Sequence, residues 1–389
     1  MEKLQENFSK LIRGTDSGFY RYQYQEIDWD ARMVGITGPR GVGKTTMLLQ
    51  HIKEKLNTAT TLYVTAEDFF FADNRLIDLA DKFVKMGGTH LFIDEIHKYK
   101  DWSRELKLIY DYHSELRVIF TGSSVLDINK GASDLSRRAI MYNMQGLSFR
   151  EYLELFHSIK IPRYSLDEIL SHKVTWASDF KPLAYFSDYL KRGYYPFSGE
   201  SNFETRLLQI IRQTIETDIP MYGDLNISTA RKLKQLLMII SKSVPFKPNI
   251  SSIATSLVAS RNSIADYLLY IEEAGLIAQL RDSTGGIKGL GKVNKIYLDN
   301  TNIIYTLASE SAEIGNIRET FFMNQVRVFS DIIASKESDF KVGNKTFEIG
   351  GRKKGSKQIE GIDNNYIVKD DIESGFSNTI PLWMFGLTY

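Results

Sequence analysis

Residues 33–46, MVGITGPRGVGKTT, constrain this chain more than any other stretch. A short apolar run, Met33-Val34-Gly35-Ile36, opens into Gly38-Pro39-Arg40-Gly41-Val42-Gly43-Lys44-Thr45, and a helical pattern follows from Thr46. The spacing is G-x-x-x-x-G-K-T, the loop in which backbone N–H groups cradle a polyphosphate. The glycines keep side chains out of the anion's path and permit the dihedrals the loop needs. Lys44 supplies charge to the outer phosphates, and Thr45 offers a hydroxyl to Mg²⁺. The helix after the loop points its partial positive charge at the same anion. Gly38, Pro39, Arg40, Gly41, Val42, Gly43, Lys44, Thr45 and Thr46 are therefore the expected nucleotide-binding residues. Strand, loop and helix in that order require an α/β fold with a parallel sheet.

The chain after the loop alternates accordingly. Thr60-Thr61-Leu62-Tyr63-Val64 reads as a strand, and a helix is expected over residues 75–86. His90-Leu91-Phe92-Ile93-Asp94-Glu95 is a short apolar run ending in two acids, the pattern of a Walker B strand. Asp94 is expected to hold Mg²⁺ directly or through water, and Glu95 to orient and deprotonate an attacking water. The plainer reading is a buried strand with two solvent-facing acids at its end. A GTPase would carry Asn-Lys-x-Asp, but Asn294-Lys295-Ile296-Tyr297 and Asn344-Lys345-Thr346-Phe347 both lack the aspartate. A small-molecule kinase needs no water-activating glutamate. ATP and Mg²⁺ are the expected ligands and ATP hydrolysis the favoured chemistry.

Leu116-Arg117-Val118-Ile119-Phe120 is the next strand, and Thr121, then Ser123, is the candidate sensor of the γ-phosphate at its tip. Ser123 and Ser124 serve equally as helix caps. Arg137 and Arg138 precede a fifth strand over residues 139–142. They read either as an arginine finger that completes the catalytic set with Glu95, Lys44 and Thr121, or as surface arginines. The aromatics Tyr20, Tyr22 and Trp29 are placed to touch a base or simply to pack.

The phosphate loop, Phe92-Ile93-Asp94-Glu95-Ile96-His97 and Phe120-Thr121-Gly122-Ser123-Ser124 combine with Gln145-Gly146-Leu147-Ser148-Phe149-Arg150-Glu151-Tyr152-Leu153 and Tyr189-Leu190-Lys191-Arg192-Gly193-Tyr194-Tyr195-Pro196. On these segments the chain resembles the AAA-type ATP-binding proteins of bacteria and archaea that carry a DUF4143-type C-terminal region. Arg192 stands where that family has the first glycine of Gly-Gly-Tyr-Pro. The resemblance implies an ASCE-type P-loop core over residues 1–147 and a helical lid over 148–228. Ser148 and Glu151 form a capping-box pattern at the start of that lid.

Residues 229–315 have the pattern of a winged helix: helices over 232–240, 252–257 and 261–274, a Gly275 stop, and strands over 276–280 and 292–298. Arg281, Lys288, Lys292 and Lys295 make the wing basic, whereas Asp266, Glu272 and Glu273 burden the third helix with negative charge. DNA or a protein is the expected partner, with protein docking or a structural role favoured. Residues 316–389 resemble a small α+β module of the PD-(D/E)xK nuclease type, and the resemblance assigns Glu319, Asp339 and Glu348 as its acidic positions. Gly350 replaces the motif's lysine, with Lys353 and Lys354 nearby, so an inactive or binding-only module is expected.

The 389 residues suit about two or three domains. A net charge of +1 excludes a polycation, so nucleic-acid binding would need a local patch. The chain has no cysteine and hence neither disulfides nor thiolate metal sites, and its six histidines show no ligand spacing. No signal-peptide core and no membrane-length apolar run is present, so a cytoplasmic protein is expected. An oligomer is possible, although no ring is implied.

Overall fold

Apolar runs of about five residues, each ending in a polar or glycine-rich turn, become the strands of the first sheet. In the computed structural model they are β1 (Met33–Thr37), β2 (Thr61–Thr65), β3 (His90–Asp94), β4 (Arg117–Thr121) and β5 (Ile140–Asn143). The structure describes residues 1–122, 135, 137–220, 225–242, 247–282, 291–308, 312–355 and 361–389. Ser123, Ser124 and the wing loop with Lys288 lie outside the described residues. The chain divides into two compact units, Met1–Gly146 and Leu147–Tyr389.

In the first unit the strand order is β2-β3-β4-β1-β5 and every pairing is parallel. A parallel sheet is covered on both faces, which is why β1 is buried at every position and β3 and β4 nearly so. Helices supply the cover. In Leu76–Lys85 the residues Leu76, Leu79, Ala80 and Phe83 recur at helical spacing and are all buried. They join Leu62, Val64, Leu91, Ile93, Leu106 and Ile109 in one core. Burying a side chain such as Phe83 contributes about 1.5–3 kcal/mol. Because all five strands run the same way, their C-terminal ends share one edge of the sheet, and that edge carries the loops that can bind a ligand. β4 lies between β1 and β3, so the strand ending in Asp94 is not hydrogen-bonded to the strand that feeds the phosphate loop.

The second unit is mostly helical up to a two-stranded antiparallel sheet, β6 (Ile277–Arg281) with β7 (Val293–Leu298). Its first helix, Phe149–His157, has the expected capping box: the Ser148 hydroxyl accepts from the Glu151 N–H and the Glu151 carboxylate from the Ser148 N–H, both at 3.1 Å. Helices Ile227–Ser241, Ile250–Ser256 and Arg261–Glu273 precede the β6–β7 hairpin, and Gly275 follows the last helix at φ 73°. The Tyr-Leu-Lys-Arg-Gly-Tyr-Tyr-Pro stretch is held from outside its helix. Asn302 accepts from the Tyr194 N–H at 2.8 Å and donates to the carbonyls of Tyr189 and Leu190, closing the end of Pro182–Arg192. A second sheet, β8 (Ile332–Ala334), β9 (Phe340–Val342), β10 (Lys345–Gly350), β11 (Asn365–Lys369) and β12 (Thr379–Pro381), has the order β12-β11-β10-β9-β8. β8 to β10 are antiparallel and β10 to β12 parallel. Helix Ile314–Val326 lies on this sheet through Phe322, whose ring sits 5.2 Å from Phe340 and 5.1 Å from Phe347.

Candidate functional site

The phosphate loop leaves β1 at Gly38, whose φ of +145° and position leave no room for a side chain: a Cβ there would lie 2.1 Å from the Met144 carbonyl oxygen. Gly43, at φ 99°, precedes the helix Lys44–Lys55. That helix has no side-chain cap, so its first N–H groups are left for an anion. Lys44 is 5% exposed, and its ammonium is held by the carbonyls of Gly38 at 2.8 Å and Pro39 at 2.9 Å. Burial lowers its pKa to about 8, against the pull of the Glu95 and Asp94 carboxylates. A buried ammonium resting on two carbonyls gains its missing counter-charge when a phosphate arrives.

Asp94 is the hub of the edge. Its Oδ2 accepts from Thr45 Oγ1 at 2.6 Å and from the Tyr63 hydroxyl at 2.8 Å. Its Oδ1 accepts from Thr121 Oγ1. The register explains the convergence. Thr65 pairs with Asp94, so Tyr63, two residues back, reaches Asp94 diagonally on the same face. Ile93 pairs with Phe120, which brings Thr121 beside Asp94 from β4. Thr121 also accepts the Glu95 N–H at 3.2 Å, so the expected sensor braces both acids of the β3 tip. Thr45 and Asp94 are hard oxygen donors of the kind Mg²⁺ takes alongside phosphate oxygens, and the donor set fits that ion.

Glu95 sits just past β3 at φ 51°, a left-handed conformation uncommon for a residue with a side chain. Its carboxylate lies 3.5 Å from His97 Nε2 and 4.0 Å from the Arg40 guanidinium. The residue assigned to water is thus beside a cation of the phosphate loop itself.

Two contributors were missed by sequence reasoning. One is Tyr63, whose signal was a tyrosine in an apolar strand buried over Thr61 to Val64, where the hydroxyl must find a partner. The other is Arg21, 4% exposed, which donates to the Val42 carbonyl in the phosphate loop and, at 2.8 Å each, to the carbonyls of Gln145 and Gly146. One face of Trp29 stacks on His51, centroids 3.9 Å apart and planes 9° from parallel. The Tyr22 hydroxyl accepts the Gln145 N–H at 3.3 Å.

The arginine-finger expectation is corrected within this chain. Arg138 makes a two-pronged contact with Asp111 at 2.9 and 3.0 Å, and Arg137 is exposed. Both precede β5, which is parallel to β1, so they stand at the N-terminal edge of the sheet, opposite the edge that holds Lys44 and Asp94.

The second unit gathers the other expected acids. Lys295, on β7, bridges Glu319 Oε2 at 3.1 Å and Asp339 Oδ1 at 3.2 Å. The Tyr297 hydroxyl donates to Glu319 at 2.7 Å, and the Ile349 N–H to Asp339 Oδ2 at 3.0 Å. Lys354, four residues beyond Gly350, pairs with Glu348. Burial raises the pKa of Glu319 and Glu348, and the Asp339 charge adds to both. Burial alone would lower that of Lys295, but Glu319 and Asp339 carry it upward. Among the described residues no group of three or more acids or histidines is arranged to hold a metal ion.

The basic wing is also partly spent. Arg281 donates to Glu272 at 2.8 Å, Lys295 is committed to the acids above, and Lys292 remains exposed. Among the described residues no helix is long and apolar enough to cross a membrane.

Residues 30–153 match the family model of the AAA domain. That match spans the phosphate loop, all five strands of the first sheet and the Asp94 cluster. Residues 183–313 match a domain of unknown function, DUF8612, where the sequence resemblance pointed to a DUF4143-type region. The chain is 25% identical over 284 residues to the uncharacterised protein MJ1637 of Methanocaldococcus jannaschii, a match covering 68% of this chain and 60% of that one. The chain therefore spans less than two thirds of that relative's length. Similar solved structures include the Walker-type ATPase PABY2304 of Pyrococcus abyssi, with 11% identity, a TM-score of 0.44 and coverage of 77% of this chain and 99% of that one. Another is PCH-2 of C. elegans, with 15% identity, a TM-score of 0.26 and coverage of 70% and 67%.

Proposed function

We propose that the chain binds ATP with Mg²⁺ at the C-terminal edge of its first sheet, hydrolyses it, and passes the resulting conformational change to residues 147–389. The observation that carries this reading is the convergence on Asp94: a carboxylate held by neutral hydroxyls from Thr45, Tyr63 and Thr121, beside a buried Lys44. Lys44 and the loop N–H groups bind the phosphates. Thr45 and Asp94 would hold Mg²⁺, which would supply charge neutralisation at the transferred phosphoryl group. Glu95 orients and deprotonates the water, with Thr121 fixing the strand tip on which Glu95 sits. Steady-state ATP hydrolysis by the wild type, Lys44→Ala and Glu95→Gln, each with and without double-stranded DNA, tests it. Turnover lost in both variants supports the reading, and turnover untouched in Glu95→Gln sinks the assignment of Glu95. Stimulation by DNA would make the hairpin and its helices a nucleic-acid reader.

A second reading, a nucleotide-gated switch with little turnover, is favoured by one contact: Glu95 beside Arg40 and His97 is restrained from a water. Wild type that binds ATP tightly and turns it over no faster than Glu95→Gln would select it. In either case residues 316–389 act as a non-catalytic module, because each of the three acids expected there has an ammonium partner.

A further inference from the structure

Tyr63 is absent from the phosphate-loop and Walker B patterns, yet its hydroxyl lies in the innermost polar cluster of the first unit. It is 5% exposed and donates to the same Asp94 oxygen as Thr45. A carboxylate oxygen offers about two lone pairs. Tyr63 and Thr45 together use both on Oδ2, while Thr121 takes Oδ1.

We infer that Tyr63 is a positioning residue that sets the metal preference of the site by holding the Asp94 carboxylate in one orientation toward a cation. The inference rests on the nucleotide–Mg²⁺ reading above. The Thr45 oxygen has lone pairs to offer a metal while its O–H still donates to Oδ2. Tyr63 on Oδ2 and Thr121 on Oδ1 hold the carboxylate at both oxygens, so that it cannot rotate without losing a hydrogen bond. A carboxylate so pinned suits Mg²⁺, which takes single oxygens in a strict octahedron and keeps most of its waters. It disfavours Ca²⁺, which gains from a carboxylate that swings to bind with both oxygens. The diagonal reach from β2 means that the strand register, not a loop, fixes this geometry.

The test is binding of a fluorescent ADP analogue to the full chain at increasing Mg²⁺ or Ca²⁺, for wild type and Tyr63→Phe. Phenylalanine keeps the ring that packs between the strands and deletes only the hydroxyl; the urea unfolding midpoint checks that the variant is folded. In wild type, half-saturation should need much less Mg²⁺ than Ca²⁺. In Tyr63→Phe that ratio should shrink by about tenfold, the scale of one hydrogen bond to a charged group, while affinity for the analogue without metal is retained. A merely structural tyrosine would change stability and leave the ratio alone, and that result overturns the role of Tyr63 only. If wild type binds no analogue with either ion, the proposed function falls and this inference with it.

Discussion

The first unit and the second each bring buried carboxylates together, and they satisfy them in opposite ways. Asp94 meets hydroxyls: Thr45, Tyr63 and Thr121 orient it without cancelling its charge. Glu319, Asp339 and Glu348 meet ammonium groups: Lys295, shared by Glu319 and Asp339, and Lys354 orient them and offset much of their charge. A carboxylate held by neutral donors still has its field to give to an incoming cation, whereas one paired with lysine has already given it. The kind of donor, more than the presence of acids, separates a cluster fit for a metal from one that serves as internal counter-ions.

The experiments that strain this contrast run from the largest expected effect downward. Glu95→Gln should hold nucleotide about as well as wild type and lose roughly a thousandfold in turnover, the scale of a lost general base; single-turnover kinetics measures it. Lys44→Ala should lose about 100-fold in nucleotide affinity, as expected when one partner of a desolvated charge contact is removed. Lys295→Met should leave nucleotide binding intact and lower stability by about 2 kcal/mol in urea unfolding. That is below the full cost of breaking a buried pair, because Lys295, Glu319 and Asp339 retain some solvent contact. If Lys295→Met is instead neutral, the lysine is not the counter-ion described. Mg²⁺- or Mn²⁺-dependent cleavage of DNA or RNA by the wild type, abolished in Asp339→Ala, would break the contrast outright; none is expected.

A further experiment is a pH series. Free Lys44 is lowered from the usual 10.5 to about 8, and a bound phosphate favours its charged form. Nucleotide affinity should therefore fall as pH rises above about 8, by at most about tenfold per unit, with proton uptake on binding visible by calorimetry in buffers of different ionisation enthalpy. The sign for folding is the reverse. A depressed lysine favours the folded state above 10.5, and that contribution is lost as pH falls towards 8. Smallest of all, Arg138→Ala should change hydrolysis by less than about twofold, because its partner Asp111 lies at the far edge of the sheet and exposed ion pairs contribute little.

The nucleotide edge was legible because its chemistry leaves few alternatives. A loop that must present N–H groups writes its glycines into the sequence, and a strand that must deliver an acid beside it writes an apolar run ahead of Asp94. Tyr63 was not legible as a contributor: in Thr-Leu-Tyr-Val-Thr it looks like any strand former, and only the pairing of Thr65 with Asp94 sends its hydroxyl to that carboxylate. Lys295 was misleading for the same reason. By composition it belonged to a basic wing, but its partners lie 24 and 44 residues further along, brought in by a helix and a second sheet. The place of Arg138 was not legible because adjacency to a strand does not say which end of the sheet that strand begins from. Local chemistry was readable, and charge partners set by long-range register were not.

The Arg21 guanidinium joins the Val42 carbonyl of the phosphate loop to the carbonyls of Gln145 and Gly146, the last residues of the first unit. A planar, buried group with three carbonyls on it behaves as a stiff linkage rather than a spring. Displacing the loop by more than the slack of a hydrogen bond must either drag the point where the chain leaves this unit or leave a buried cation short of an acceptor. The phosphate cradle and the exit of the chain are thus tied to each other through a single guanidinium.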